Sequence, residues 1–121
     1  MDVILDSSFI ISCIKRKIDF SDELEKLGFK IVLSKEVFQE LKDLRFKVKH
    51  DERTAIDLAF DILKNKKIKK IRLGEKIVDK GLIKKGKEGH YIATLDSVIK
   101  REVPNKILIS DSKNSLIIER D

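Results

Sequence analysis

Met1-Asp2-Val3-Ile4-Leu5-Asp6-Ser7-Ser8-Phe9-Ile10-Ile11 is the stretch whose reading decides the fold. Val3, Ile4 and Leu5 form an apolar run without alternation, the pattern of a strand buried on both faces. Asp6 ends the run, and Ser7 and Ser8 can cap a helix whose Phe9, Ile10, Ile11 and Ile14 pack against the sheet. In an open α/β sheet, ligands bind in the crevice outside the carboxyl ends of the strands, near the point where strand order reverses. A carboxylate at Asp6 therefore points into a cleft. Taken alone, Asp6 equally suits a turn or a cap, so its meaning depends on what else reaches the same edge.

The chain has 121 residues, enough for one domain with a real core and too few for two. We read residues 1–121 as a single domain with a core over 1–110 and a C-terminal extension over 111–121. Charged residues make up 40% against 41% hydrophobic, no stretch is apolar for long enough to span a bilayer, and the chain opens on a strand rather than a leader. These features predict no membrane segment. The lone cysteine, Cys13, cannot form an internal disulfide, which suits a reducing cytoplasm, and its neighbours Ile10, Ile11 and Ile14 mark it as a core residue.

The net charge of +6 favours a polyanionic partner, with nucleic acid first among them. A heat-adapted composition would explain the number of charges better than their sign. Much of the surplus crowds into Lys64–Lys70, Arg72, Lys76, Lys80, Lys84, Lys85 and Lys87. Of these, Lys66, Lys67, Lys69, Lys70, Lys84 and Lys85 are the expected nucleic-acid contacts.

Further along, Ser21-Asp-Glu-Leu-Glu starts a short helical stretch that Gly28 can end, and Lys30-Ile-Val-Leu33 is a second apolar strand. Ser34 looks like the N-cap of a helix running to about Phe46, with Val37, Leu41, Leu44 and Val48 as its buried stripe. The charged stretch Lys42 to Arg53 holds the expected flexible connection, followed by an amphipathic helix through Ala55, Ile56, Leu58, Ala59, Ile62 and Leu63. Ile68, Ile71 and Leu73 predict a third strand at an edge guarded by lysines. Ile77 to Lys87 predicts a helix weakened by Gly81 and Gly86. His90–Thr94 is the fourth strand, Ser97–Val103 the next helix and Lys106–Ile109 the fifth strand. Leu116-Ile-Ile118 fits a short edge strand or a helix. Alternation of this kind implies right-handed crossovers and an α/β fold with a mostly parallel sheet of about five strands covered on both faces. Neither GxGxxG nor GxxxxGK occurs, which argues against dinucleotide and P-loop nucleotide binding.

Asp6 and Asp96, at the ends of the first and fourth strands, emerge at one edge if the switch point lies between those strands. Glu40 borders the buried stripe of its helix rather than its solvent face, where a charge calls for a partner or a metal; Glu36 lies further from the stripe and ranks below it. Asp79 falls in the first turn of its helix, where the helix dipole also accounts for an acid. Two carboxylates about 5 Å apart repel by roughly 3 kcal/mol at an effective dielectric near 20. A cluster of them stays ionised only if a cation compensates, and all-oxygen ligation favours Mg²⁺ or Mn²⁺ over zinc. His50 and His90 form no ligand-spaced pair. Acids around one or two such ions in a basic surface point to phosphodiester hydrolysis.

The ordered pieces Val3-Ile-Leu-Asp6-Ser-Ser-Phe, Val37-Phe-Gln-Glu40-Leu, Val78-Asp79-Lys-Gly-Leu-Ile and Ala93-Thr-Leu-Asp96 resemble PIN domains, the metal-dependent nuclease fold of VapC-type toxins and ribosomal-RNA-processing endonucleases. The resemblance implies a three-layer α/β/α domain with sheet order 3-2-1-4-5. It implies Asp6, Glu40, Asp79 and Asp96 as catalytic, metal-binding acids around Mg²⁺ or Mn²⁺, with Ser8 and Thr94 orienting them. It also implies single-stranded RNA as substrate, with a homodimer and, for a toxin, an antitoxin as protein partners. The segment Tyr91–Arg101, with Pro104 and Ile107-Leu-Ile-Ser110 after it, is closer to the archaeal and eukaryotic rRNA-processing branch. Lys80-Gly81 after Asp79 and Ser97 after Asp96 depart from the family pattern, and Asp111 is a candidate supporting acid.

Three other classes compete. A non-catalytic RNA- or ribosome-binding scaffold with the same fold is the chief rival. A phosphoacceptor receiver domain needs paired acids after the first strand, where this chain has Ser7 and Ser8. A haloacid-dehalogenase-type phosphatase needs a second Asp where Ser8 stands.

Overall fold

The computed structural model describes residues 1–64 and 68–121. The apolar runs become strands β1 (Asp2–Leu5), β2 (Lys30–Ser34), β4 (Tyr91–Ala93) and β5 (Lys106–Ser110), joined by β3 (Lys69–Ile71) and β6 (Ser115–Glu119). Six helices accompany them among the described residues: α1 (Ser7–Lys15), α2 (Phe20–Lys26), α3 (Lys35–Arg45), α4 (His50–Lys64), α5 (Val78–Lys87) and α6 (Ser97–Glu102).

The strands form one sheet in the order β3-β2-β1-β4-β5-β6. All neighbours are parallel except β5 and β6, with Val3 opposite both Ile31 and Tyr91, and Ala93 opposite Ile107. The order expected over five strands is present, and the C-terminal stretch adds a sixth, antiparallel strand to the domain's edge. From β1 the chain winds outward through β2 and β3, then returns to β1's other side as β4. The switch point therefore lies between β1 and β4, and Asp6 and Asp96 leave the sheet beside it.

Side-chain alternation along the strands divides the core between two faces. Val3, Leu5, Ile31, Leu33 and Ala93 meet Phe9, Ile10, Phe20, Leu24, Val37, Leu41 and Ala59 of α1–α4. On the other face Ile4, Val32 and Ile92 meet Leu82 of α5 and Ile99 of α6. This is a three-layer α/β/α arrangement. Cys13 is fully buried, and burial pushes its thiol up to about 12, the behaviour of a core residue.

Several local expectations change. The α1 N-cap is Asp6 itself, extended at φ −93° and ψ 153°, whose carboxylate accepts the Ser7 N–H at 2.8 Å; Ser7 and Ser8 are already helical. The connection expected within Lys42 to Arg53 is the short link between α3 and α4, and of the helix stripe Leu58 is exposed; Arg45 and Asp57 pair across the link at 2.7 Å. The glycines of α5 are demanded by packing. A Cβ at Gly81 would stand 2.7 Å from Leu73 Cβ, and one at Gly86 would stand 2.3 Å from Val103 Cγ1. Ser34 caps α3 as expected, its hydroxyl accepting the Val37 N–H at 3.0 Å. Among the described residues no helix is long and apolar enough to cross a membrane.

Candidate active site

Asp6 is 5% exposed and held on both carboxylate oxygens. Its Oδ1 accepts the Ser7 N–H, and its Oδ2 accepts the Thr94 hydroxyl at 2.7 Å and the Ser8 hydroxyl at 3.2 Å. The same hydroxyls reach across to the end of β4. Thr94 Oγ1 accepts the Asp96 N–H at 3.0 Å, and Ser8 Oγ accepts the Leu95 N–H at 3.3 Å. Asp6 N–H donates to Ala93 O at 2.9 Å, so β1–β4 pairing continues up to the carboxylate. Asp96 caps α6, its Oδ1 accepting the N–H groups of Val98 at 2.9 Å and Ile99 at 3.1 Å.

Glu40 projects from α3, half-buried, and accepts the Ser7 hydroxyl. Adjacent serines thus hold two different acids, Ser8 on Asp6 and Ser7 on Glu40. Asp79 stands in the first turn of α5, open to solvent.

These carboxylates feel one another. Burial, with a contribution from the charge of Asp79, raises the Asp6 carboxyl above its ordinary range against the pull of its hydrogen bonds. Burial also raises Glu40; the Ser7 hydroxyl opposes this, while the charges of Asp6, Asp79 and Asp43 add to it. Asp79 is raised by desolvation and then by Asp96. Among the described residues none of the four forms an ion pair, so no side-chain cation offsets their charge. An open groove of about 380 Å³ runs from Glu40 past Glu36, Gln39, Asp43, Lys47 and Lys76 to Val78, beside Asp79.

The donor chemistry fits a hard divalent cation, because every candidate ligand is an oxygen and negative charge is in excess. The described acidic, histidine and cysteine side chains do not, however, close into a group of three able to share one ion. An open donor set of this kind is compatible with Mg²⁺, which keeps several waters and takes only one or two carboxylates. It does not fit a closed cage.

Other expected residues lie elsewhere. Asp111 pairs with Arg16 at 2.5 Å at the β5–β6 turn. Lys84 and Lys85 lie in the last turn of α5, away from Asp79 in the first, and Lys85 faces Glu88 at 3.7 Å. Lys69 and Lys70 sit exposed on edge strand β3, while Lys66 and Lys67 lie outside the described residues. Three contributors have no signal in local patterning. Ser7 holds Glu40, Asp43 adds charge beside it, and Glu36 clamps the loop before α5 by accepting the N–H groups of Leu73 at 3.0 Å and Gly74 at 3.2 Å. Partial burial works against ionising Glu36, but those N–H groups and Arg72 outweigh it and lower its carboxyl.

No protein-family model matches the chain, and no curated protein matches it by sequence. Among solved structures, the PIN domain endonuclease Utp24 superposes with a TM-score of 0.78 over 99% of this chain and 92% of its own, at 21% identity. VapBC2 from Rickettsia felis, solved bound to a DNA fragment from its promoter, superposes at 0.55 over 84% of this chain and 93% of its own, at 18% identity. The sheet order, the switch point between β1 and β4 and these superpositions agree: the chain has the PIN-domain fold of known nucleases.

Proposed function

We propose that this chain is a Mg²⁺- or Mn²⁺-dependent endoribonuclease that hydrolyses phosphodiester bonds in single-stranded RNA. The observation that carries the reading is the buried, hydrogen-bonded Asp6 at the switch point of a PIN fold, sharing uncompensated negative charge with Glu40, Asp79 and Asp96. Asp6, Glu40, Asp79 and Asp96 would hold one or two ions. Bound there, a divalent ion would supply Lewis-acid activation of water and of the scissile phosphate. The chain's own groups fix the site for it. Thr94 and Ser8 hold Asp6 Oδ2 in one orientation while tying it to the Asp96 and Leu95 backbone, so the ends of β1 and β4 stay in register. Ser7 keeps Glu40 turned toward the same crevice.

The net charge of +6 supports a polyanionic substrate, since acids alone would repel one. The fuller superposition on Utp24 than on VapBC2, with the resemblance of Tyr91–Arg101, favours ribosomal-RNA processing over a toxin role with an antitoxin partner. A cytoplasmic site of action and a homodimer accompany this reading. A second reading, an RNA-binding scaffold of the same fold, draws on the open spacing of the acids and on Lys80-Gly81 after Asp79.

A labelled single-stranded RNA incubated with Mn²⁺ or EDTA separates the two. We expect slow cleavage by wild type with Mn²⁺, none with EDTA, and a loss of at least ~100-fold in Asp6→Asn. Binding without cleavage by both proteins would select the scaffold. Equal cleavage by both would remove Asp6 from the site.

A further inference from the structure

We propose that the pocket formed by Lys35, Phe38, Lys42 and Lys70 over Leu33 is a nucleotide subsite that grips single-stranded RNA beside the acid cluster. It rests on the nuclease reading above and adds where the strand is held.

The pocket, of about 290 Å³, has an apolar floor of Leu33 and Phe38 and a cationic rim. Lys42 Nζ lies 4.8 Å and Lys70 Nζ 5.6 Å from the centroid of the Phe38 ring. Phe38 is fixed from below by Phe60, ring to ring at 5.3 Å and 58°. Among the described residues Lys35, Lys42 and Lys70 are in no ion pair, so their charge is available to a ligand. The two ammonium groups stand over the ring, so a nucleotide entering the pocket meets them first; their swing onto its flanking phosphates frees the ring to take the base.

Its location supplies the connection to the site. Gln39 of α3 lines both this pocket and the groove that holds Glu40, so the two adjoin at that residue. A strand lying over Gln39 can keep one nucleotide at Phe38 while the adjoining backbone enters the groove lined by Glu36, Glu40 and Asp43. The alternative occupant of such an edge is a peptide strand added to β3. Lys69 and Lys70 on that three-residue strand oppose it, since edge lysines discourage strand addition.

The test is fluorescence anisotropy of a labelled ten-nucleotide RNA in EDTA, where no cleavage occurs, with wild type, Lys42→Gln/Lys70→Gln and Phe38→Leu. Circular dichroism confirms that each variant is folded, and the lysine pair provides a variant with no core side chain altered. The lysine pair is expected to weaken binding ~10-fold at low salt and to flatten the dependence of log K on log salt by about 1.4, two phosphates at about 0.7 each. Phe38→Leu is expected to weaken it ~5-fold or more, with little change in salt slope. Ultraviolet crosslinking should label the peptide carrying Phe38. Unchanged affinity and slope in both variants would overturn the subsite while leaving metal-dependent cleavage to stand on its own assay. Displacement of the RNA by an acidic peptide, with no crosslink at Phe38, would assign the patch to a protein ligand instead. If wild type bound no RNA yet cleaved it with Mn²⁺, an unaltered KM in the lysine pair would overturn the subsite alone. Absence of both binding and cleavage would overturn both readings.

Discussion

Ser7 and Ser8 are neighbours in the first turn of α1, yet they serve different carboxylates. Successive helical positions are turned by about 100°, which sends one hydroxyl toward Glu40 on α3 and the other back to Asp6. Ser7 is the only described side chain that donates to Glu40, and its hydroxyl favours the ionised form while burial and the neighbouring acids oppose it. Removing that donor must raise the Glu40 carboxyl further. Ser7→Ala is therefore expected to lower Mn²⁺-dependent cleavage by about 10-fold, in line with the loss of a group that orients a ligand. It should also move the acid limb of the pH–rate profile upward, because Glu40 needs a higher pH to ionise. Stability should change by only about 1 kcal/mol, the worth of one hydrogen bond. A limb that stays in place while the rate falls would mean that Glu40 does not titrate in the reaction.

At the scale of the element, α5 decides whether Asp79 can join the other acids. Leu82 is fully buried against the sheet, and Gly81 and Gly86 let the helix backbone approach Leu73, Val103 and Ile92. Helix propensity and packing make opposite predictions for Gly86→Ala. Propensity gives a gain of about 1 kcal/mol, whereas a methyl placed 2.3 Å from Val103 Cγ1 gives an overpacking loss of about 1–3 kcal/mol. We expect the loss to win in urea denaturation; a stabilised variant would mean that α5 sits further from the sheet than described. These glycines also show where sequence legibility ends. The buried strands, the Ser34 cap and the exit of Asp6 and Asp96 from the sheet on either side of the switch point follow from local patterns and from the switch-point rule, and all are present. Glu36 is not legible as a clamp because its partners, Leu73 and Gly74, lie 37 and 38 residues further along the chain, beyond α4 and β3. Leu116-Ile-Ile118 was too short to separate strand from helix until pairing with β5 settled it. Of the expected basic contacts, Lys69 and Lys70 lie on the β3 edge and Lys84 and Lys85 in the last turn of α5, a separation that proximity in sequence conceals.

For the whole molecule, the acids at the switch point set function against stability. Asp6, Glu40 and Asp79 all have carboxyls raised above their unfolded values, chiefly by desolvation and then by neighbouring acids. A group raised in this way weakens the fold at neutral pH, and the deficit disappears as pH falls through its folded value, because the native state then takes up more protons than the unfolded chain. Glu36 has the opposite sign, and its contribution is lost as pH falls through its own lowered value. The metal-free protein should therefore be more stable at mildly acidic pH than at pH 7, with stability declining again once the lowered carboxylates protonate. A bound cation should reverse the slope. Mn²⁺ at a hundredfold excess over its Kd adds about 2.7 kcal/mol to the folded state at pH 7. At roughly 3–5 °C per kcal/mol for a domain of this size, Tm should rise by about 10 °C. That increment should shrink toward pH 5 as protons compete for the same oxygens, and Asp6→Asn should remove most of it at every pH. Thermal melts in EDTA and in Mn²⁺ at the two pH values, with wild type and Asp6→Asn, decide the matter without reference to any substrate. A Tm that ignores Mn²⁺ at pH 7 would show that the repulsion among these acids is tolerated for some purpose other than holding an ion. An increment equal in wild type and Asp6→Asn would place the ion elsewhere on the molecule.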